Sequence, residues 1–181
     1  MYHASILLIT LIGLALLPGT FVLADETKDS EARAVMLDRE GERIGEARLW
    51  SGSEGVVIRL ELQGLTGGWK GLHIHAKGTC EDFHAGFLAS GGHLDPDGRQ
   101  HGLLNPNGPE RGDLPNIWIN NDGRVKVEIY VSGITIKGGK AGLLDGDGTA
   151  LVIHEDEDDH DSQPIGGAGS RIACGVIVAA D

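Results

Sequence analysis

The sequence predicts an all-β fold, a Greek-key β-sandwich or flattened barrel with two long functional loops. Short segments of alternating apolar residues are interrupted by turn residues, no stretch after the leader has a helical period, and the 181 residues include 29 glycines. A chain with that rhythm buries one face of each strand and turns sharply between strands.

Taken in order, the chain begins with an apolar run over residues 6–17. The breakers Pro18-Gly19 follow, then Val22-Leu23-Ala24 ahead of Asp25. Residues 1–24 read as a secretory signal peptide, cleaved after Ala24. The run lacks a Lys or Arg before it, which keeps an uncleaved anchor as the alternative, although it is short for a membrane span. Residues 25–181 then form one domain, long enough for a real core.

A polar lead over 25–31 precedes the first strand, Ala32-Arg33-Ala34-Val35-Met36-Leu37. Glu40-Gly41 turns the chain into a second strand over 43–50, and Ser51-Gly52-Ser53-Glu54-Gly55 turns it into Val56-Val57-Ile58-Arg59-Leu60-Glu61-Leu62. Asn121-Asp122-Gly123 introduces another strand over 124–131, and Ala150-Leu151-Val152-Ile153 reads as a strand ending at His154. Residues 76–115 and 154–169 break the rhythm; irregular segments of that length in a compact domain are expected to be functional loops. Repeats and interdomain linkers are not evident.

The net charge is −12, and residues 1–24 contain no Asp, Glu, Lys or Arg, so the whole imbalance belongs to the exported part. Nucleic acid and anionic lipid are poor partners for it, and no membrane attachment is expected after cleavage. The expected location is periplasmic or secreted. In such a compartment thiols oxidise, and the two cysteines, Cys80 and Cys174, are expected to form one disulfide that ties the Cys80 loop to the C-terminal strand.

Of the eight histidines, all but His3 and His160 lie between positions 73 and 154. His73 and His75 alternate on a strand, so both imidazoles face the same way, near enough to hold one metal ion. Imidazole suits copper, zinc, nickel and iron, and the pair alone is a weak signal. His93, His101 and Asp113 in the first long loop and His154 at a strand end supply enough donors for two metal sites. A lone histidine is more often a surface or hydrogen-bonded residue than a ligand, and His84 and His160 are read that way.

The segments Gly71-Leu72-His73-Ile74-His75, Ala89-Ser90-Gly91-Gly92-His93, His101-Gly102-Leu103-Leu104-Asn105-Pro106-Asn107-Gly108-Pro109, Gly112-Asp113-Leu114-Pro115-Asn116, Leu151-Val152-Ile153-His154 and Gly166-Gly167-Ala168-Gly169-Ser170-Arg171-Ile172-Ala173-Cys174 occur in this order. With them the chain resembles the copper–zinc superoxide dismutases, especially the exported bacterial ones, over essentially all of residues 25–181.

That resemblance implies copper bound by His73, His75, His93 and His154. It implies zinc bound by His101 and Asp113 together with His93, whose ring bridges both metals. Asp158 matches a carboxylate that links a copper-ligand histidine to a zinc-ligand histidine. Arg171 matches the guanidinium that guides the substrate anion, and Cys80 and Cys174 match the family disulfide. Two positions depart from the pattern. Glu110 stands where the family has its third zinc histidine, three residues before Asp113. Glu110 either ligates zinc, leaves the zinc site weakened, or yields its place to His84 or another nearby group. Lys70 stands where a structural histidine is usual, which leaves the chemistry unaffected.

The implied activity is dismutation of superoxide to oxygen and hydrogen peroxide by a cycling copper, with Arg171 and His93 as the catalytic residues and copper and zinc as cofactors. Superoxide is the expected partner, and the chain is a monomer or a homodimer. The acidic run 155–161 lies where the family has its charge-guiding loop; most of it is read as solvated surface. A copper-binding or copper-delivery module on the same fold is the alternative. A zinc hydrolase with a His-x-His pair fits less well, because the relevant barrels need helices that this chain lacks.

Overall fold

The computed structural model describes residues 30–180. The expected signal peptide, residues 1–24, and His3 lie outside the described residues. Among the described residues no helix is long and apolar enough to cross a membrane.

Among the described residues nine strands carry the fold: β1 (Ala32–Asp38), β2 (Arg43–Ser51), β3 (Gly55–Leu62), β4 (Gly68–Lys70), β5 (Leu72–His75), β6 (Ile117–Ile119), β7 (Val125–Ser132), β8 (Thr149–His154) and β9 (Arg171–Ala179). Seven form one curled antiparallel sheet in the order β5-β8-β9-β1-β2-β3-β7, while β4 and β6 pair separately. β1, β2 and β3 are joined by tight turns, whereas β8 and β9 reach β5 and β1 through long connections. This is the all-β architecture expected from the sequence.

The strands expected at 32–37, 43–50, 56–62, 124–131 and 150–153 all form, each within a residue or two of its expected limits. The short pair β4–β6 has no counterpart among the strands expected from the sequence. It sets Trp69 against Trp118 in register, with the rings edge to face at 5.4 Å. β1 and β2 lose register after Met36. Opposite that slip stands Gly45 at φ 151°, where a Cβ would lie 2.1 Å from Glu61 O, so the bulge requires glycine.

β7 alternates buried and exposed residues, as a sheet with one wet face should, but β5 and β8 are buried throughout. Leu72, Ile74, Leu151 and Ile153 enter the main core. Their opposite face carries Ala150 and Val152, which pack with Phe87, Cys80 and Cys174 into a second, smaller cluster. The loop after β5 therefore lies over the outer face of β5, β8 and β9. The Cys80–Cys174 disulfide fastens it there, with the two Cα atoms 5.8 Å apart.

Candidate metal centre

On β5 the even positions, Leu72 and Ile74, fill the core, so His73 and His75 emerge together on the loop-covered face. The open edge of this strand is paired by pieces of the long loop. Ala76 N–H donates to Gly92 O at 2.9 Å, Leu94 N–H to Ile74 O at 2.8 Å and Ile74 N–H to Gly112 O at 2.8 Å. The pairing places His93 opposite His75 and Asp113 opposite His73. It needs glycine at 112, because a Cβ there would stand 2.2 Å from Ile74 O. His154 arrives on β8, at the point where the ladder to β9 slips after Ile153.

His73, His75, His93 and His154 each offer a donor atom within 4.8 Å of the other three. In three of the rings, one nitrogen is held by protein outside both clusters. His73 Nε2–H donates to Asp158 Oδ2 at 2.7 Å, His75 Nδ1–H to Gly91 O at 2.8 Å and His154 Nδ1–H to Gly169 O at 3.1 Å. The remaining nitrogens, His73 Nδ1, His75 Nε2 and His154 Nε2, together with His93 Nε2, are buried without a hydrogen-bond partner among the described residues. Four buried lone pairs turned toward one another are costly unless a cation binds them.

Burial lowers the pKa of His73 to about 4, against the pull of Asp158. His154 falls to about 3 through burial and the neighbouring His73, and His75 to about 2 through burial and Arg171. All three rings are thus neutral at pH 7, the state a metal requires.

A second cluster gathers around the other nitrogen of His93. His93 Nδ1 lies 2.7 Å from Glu110 Oε2 and 3.1 Å from Asp113 Oδ1. His101 Nδ1 lies 2.8 Å from the same Asp113 oxygen and 3.8 Å from Glu110 Oε2. By distance alone His73 also falls within 4.8 Å of His93, His101 and Asp113, but its Nε2 is already taken by Asp158. The Glu110 carboxylate bonds His93 at 2.7 Å and stands 3.8 Å from His101 at the edge of the same cluster. Asp113 Oδ2 meanwhile accepts the backbone N–H groups of Gly102 and Glu110, which orients its other oxygen inward. Burial works against charge on His93 and His101, yet the carboxylates outweigh it and raise both, His101 to about 10.

Asp158 joins the clusters from behind. It accepts from His73 Nε2 at 2.7 Å and from His101 Nε2 at 3.1 Å, and burial of its carboxylate is overcome by these bonds, so its pKa falls far below the usual carboxylate range. Asn116 exchanges two hydrogen bonds with the Asp158 backbone, at 2.8 and 3.0 Å. His160 donates its N–H to Asp158 Oδ1 at 2.7 Å and brings its ring to 3.6 Å from Oδ2. Sequence reasoning assigned no role to Asn116 and read His160 as a surface or hydrogen-bonded residue. The proximity of position 160 to Asp158 in the chain was the one available signal.

Arg171 donates to Phe87 O at 2.6 Å and to Gly91 O at 2.7 Å, the carbonyl that also holds His75. With His154 and Gly169 it lines a cavity of about 330 Å³. The largest cavity described, about 780 Å³, is lined by residues of β2, β3 and β7 and by none of the candidate ligands. His84 is exposed and meets Phe83 edge to face, away from both clusters. Lys70 is buried, with its ammonium donating to Glu155 O.

The family model described as copper/zinc superoxide dismutase (SODC) matches residues 44–177. The chain belongs to the copper/zinc superoxide dismutase family. Membership makes it an enzyme, a superoxide dismutase acting on superoxide, with copper and zinc as cofactors. It is 44% identical over 165 residues to Superoxide dismutase [Cu-Zn] 2 of Aquifex aeolicus, covering 89% of this chain and 95% of the relative. It is also 44% identical over 149 residues to Superoxide dismutase [Cu-Zn] of Caulobacter vibrioides, covering 81% and 84%. The crystal structure of a SOD-like protein from Bacillus subtilis superposes with a TM-score of 0.77 at 36% identity, covering 81% of this chain and 97% of that one. The two donor sets fit the family's two metals: four converging imidazoles suit copper, and imidazoles with carboxylates suit zinc.

Proposed function

We propose that this superoxide dismutase converts two superoxide anions and two protons to one O2 and one H2O2 at a copper ion cycling between Cu(II) and Cu(I). Copper is held by His73, His75, His93 and His154, and His93 bridges it to a zinc ion held by His101, Asp113 and Glu110. The observation that carries this reading is the divided environment of one ring. His93 turns Nε2 toward the partnerless nitrogens of the first cluster and Nδ1 toward Glu110 and Asp113 in the second.

Bound copper supplies one-electron redox chemistry, oxidising one superoxide and reducing the next. The protein must bring in the anion and a proton. Arg171 draws superoxide into the cavity that it shares with His154, against a net charge of −12, because a half-buried cation in a cleft focuses the local field. With the metals bound, His93 Nε2 would hold one proton and deliver it to the second superoxide as that anion is reduced, the second proton coming from water. Asp158 holds His73 and His101 in the tautomers that aim their other nitrogens at the metals. A copper-delivery module would need Arg171 only to hold the carbonyls of Phe87 and Gly91, so its place in the cavity beside His154 favours turnover.

The same proposal makes residues 1–24 a cleaved signal peptide and the enzyme periplasmic or secreted. The Cys80–Cys174 disulfide supports export, since such bridges persist in oxidising compartments. Metal analysis of the purified protein beside a superoxide consumption assay tests the reading. One copper and one zinc per chain with rapid consumption is the expected result; copper without zinc would remove the bridge, and both metals without consumption would leave the delivery module.

A further inference from the structure

We infer that zinc enters and leaves this enzyme through a cavity of its own, separate from the one at copper and opened by Glu110. The inference rests on the zinc site proposed above. Three of its four side chains are sealed: His93 is 2% exposed, His101 1% and Asp113 0%. Glu110 is 17% exposed. It is the one donor that water reaches appreciably.

Glu110 faces a cavity of about 280 Å³, whose lining also includes Asp113, Arg99, Arg111, Leu103 and Ser132. That cavity shares no lining residue with the one holding His154 and Arg171. Ion pairs and a hydrogen bond run along its rim. Arg111 Nε donates to Asp97 Oδ2 at 2.7 Å, Lys140 bonds the other Asp97 oxygen, and Arg99 donates to Gly108 O. β7 supplies the far wall through Ser132, at the end of the strand.

Zinc held here would exchange when an incoming ligand adds and one resident side chain lets go, since zinc tolerates a fifth ligand. His93, His101 and Asp113 are enclosed and cross-bonded, so an incoming water or chelator meets the ion beside Glu110. Position 110 thereby becomes the hinge of metal exchange, and zinc turns over without disturbing copper.

The test uses the copper- and zinc-loaded enzyme, challenged with EDTA. Zinc transfer is followed by a zinc-responsive dye and copper by its visible absorption. Ser132→Trp and, independently, Leu103→Trp narrow the cavity from exposed or half-exposed positions, away from the ligands. Each is expected to slow zinc release by about tenfold, the slowing given by an added barrier of about 1.4 kcal/mol, while copper release stays unchanged. Unchanged zinc release in both variants would overturn the inference. Equal slowing of copper release would also overturn it, because the two metals would then share one route. Glu110→Gln separates this from the ligand assignment: zinc held as tightly as in the parent removes Glu110 as ligand and as hinge, whereas slowed release in the tryptophan variants concerns the cavity alone.

Discussion

His73 Nε2 and Asp158 Oδ2 meet at 2.7 Å with both side chains wholly out of water. The other Asp158 oxygen receives His101 Nε2, so a single carboxylate sets the orientation of one ring in each cluster. Partners of this kind usually govern metal affinity by about 10–100-fold. Asp158→Asn should therefore weaken zinc and copper binding alike by roughly that factor, because it releases one donor at each site, His101 and His73. Competition with a chelator of known affinity reads both values; undiminished affinity for both metals would show that Asp158 orients neither ring usefully.

Glu110 is the departure from the family pattern, and it is directly testable. Glu110→His restores a neutral donor and is expected to hold zinc more tightly, whereas Glu110→Ala should lose zinc at chelator concentrations the parent resists. Equal retention across parent, His and Ala forms would exclude Glu110 from the site.

Arg171 combines steering with structure, because its guanidinium also holds the carbonyls of Phe87 and Gly91. Arg171→Glu is expected to slow dismutation and reduce its dependence on ionic strength while leaving the copper content intact. Stopped-flow turnover across a salt series tests this. A variant as fast as the parent would discard electrostatic guidance by this residue.

The metal-free protein should become less stable as pH falls from about 6.5 toward 4. His73, His75 and His154 have folded pKa values of about 4, 2 and 3, all below the ordinary 6.5. In that window the unfolded chain binds protons that the folded chain refuses. Each such histidine contributes a slope of up to about 1.4 kcal/mol per pH unit, so stability is present above pH 6.5 and lost on acidification. His101, raised to about 10, acts in the opposite sense, but its contribution is constant below 6.5 and is lost only at alkaline pH. Denaturant midpoints at pH 7 and pH 5 should fall accordingly, and saturating copper and zinc should flatten the difference.

Removing the disulfide with paired Cys80→Ser and Cys174→Ser substitutions opens a loop whose ends are 94 residues apart in sequence. On chain-entropy grounds the cost is about 4–5 kcal/mol of stability. The larger functional expectation is loosening of the loop that carries His93, detected as faster exchange of the backbone amides over 87–94. Exchange rates identical to the parent would mean that edge pairing on β5 alone holds that loop.

Much of this architecture is legible in the amino-acid sequence. Alternation and turns locate five strands to within a residue or two, because a half-buried strand writes its two faces into the sequence. His73 and His75 follow from strand period alone, but assigning His93, His154, Asp113 and Asp158 to clusters requires the family resemblance, since spacing says nothing about which loop covers which strand. β4 and β6 escape because three residues are too few to show a period. Asn116 and His160 escape for a different reason. Their contacts to Asp158 are mostly through backbone atoms, which no side-chain pattern records.

β5 buries both of its faces, with Leu72 and Ile74 on one side and His73 and His75 on the other. A mispairing by one residue would push two imidazoles into the oily interior and leave two aliphatic chains where the metal ligands belong. A molecule that has taken up its metals has therefore passed an inspection of its own folding, and metal content becomes a count of correctly assembled chains.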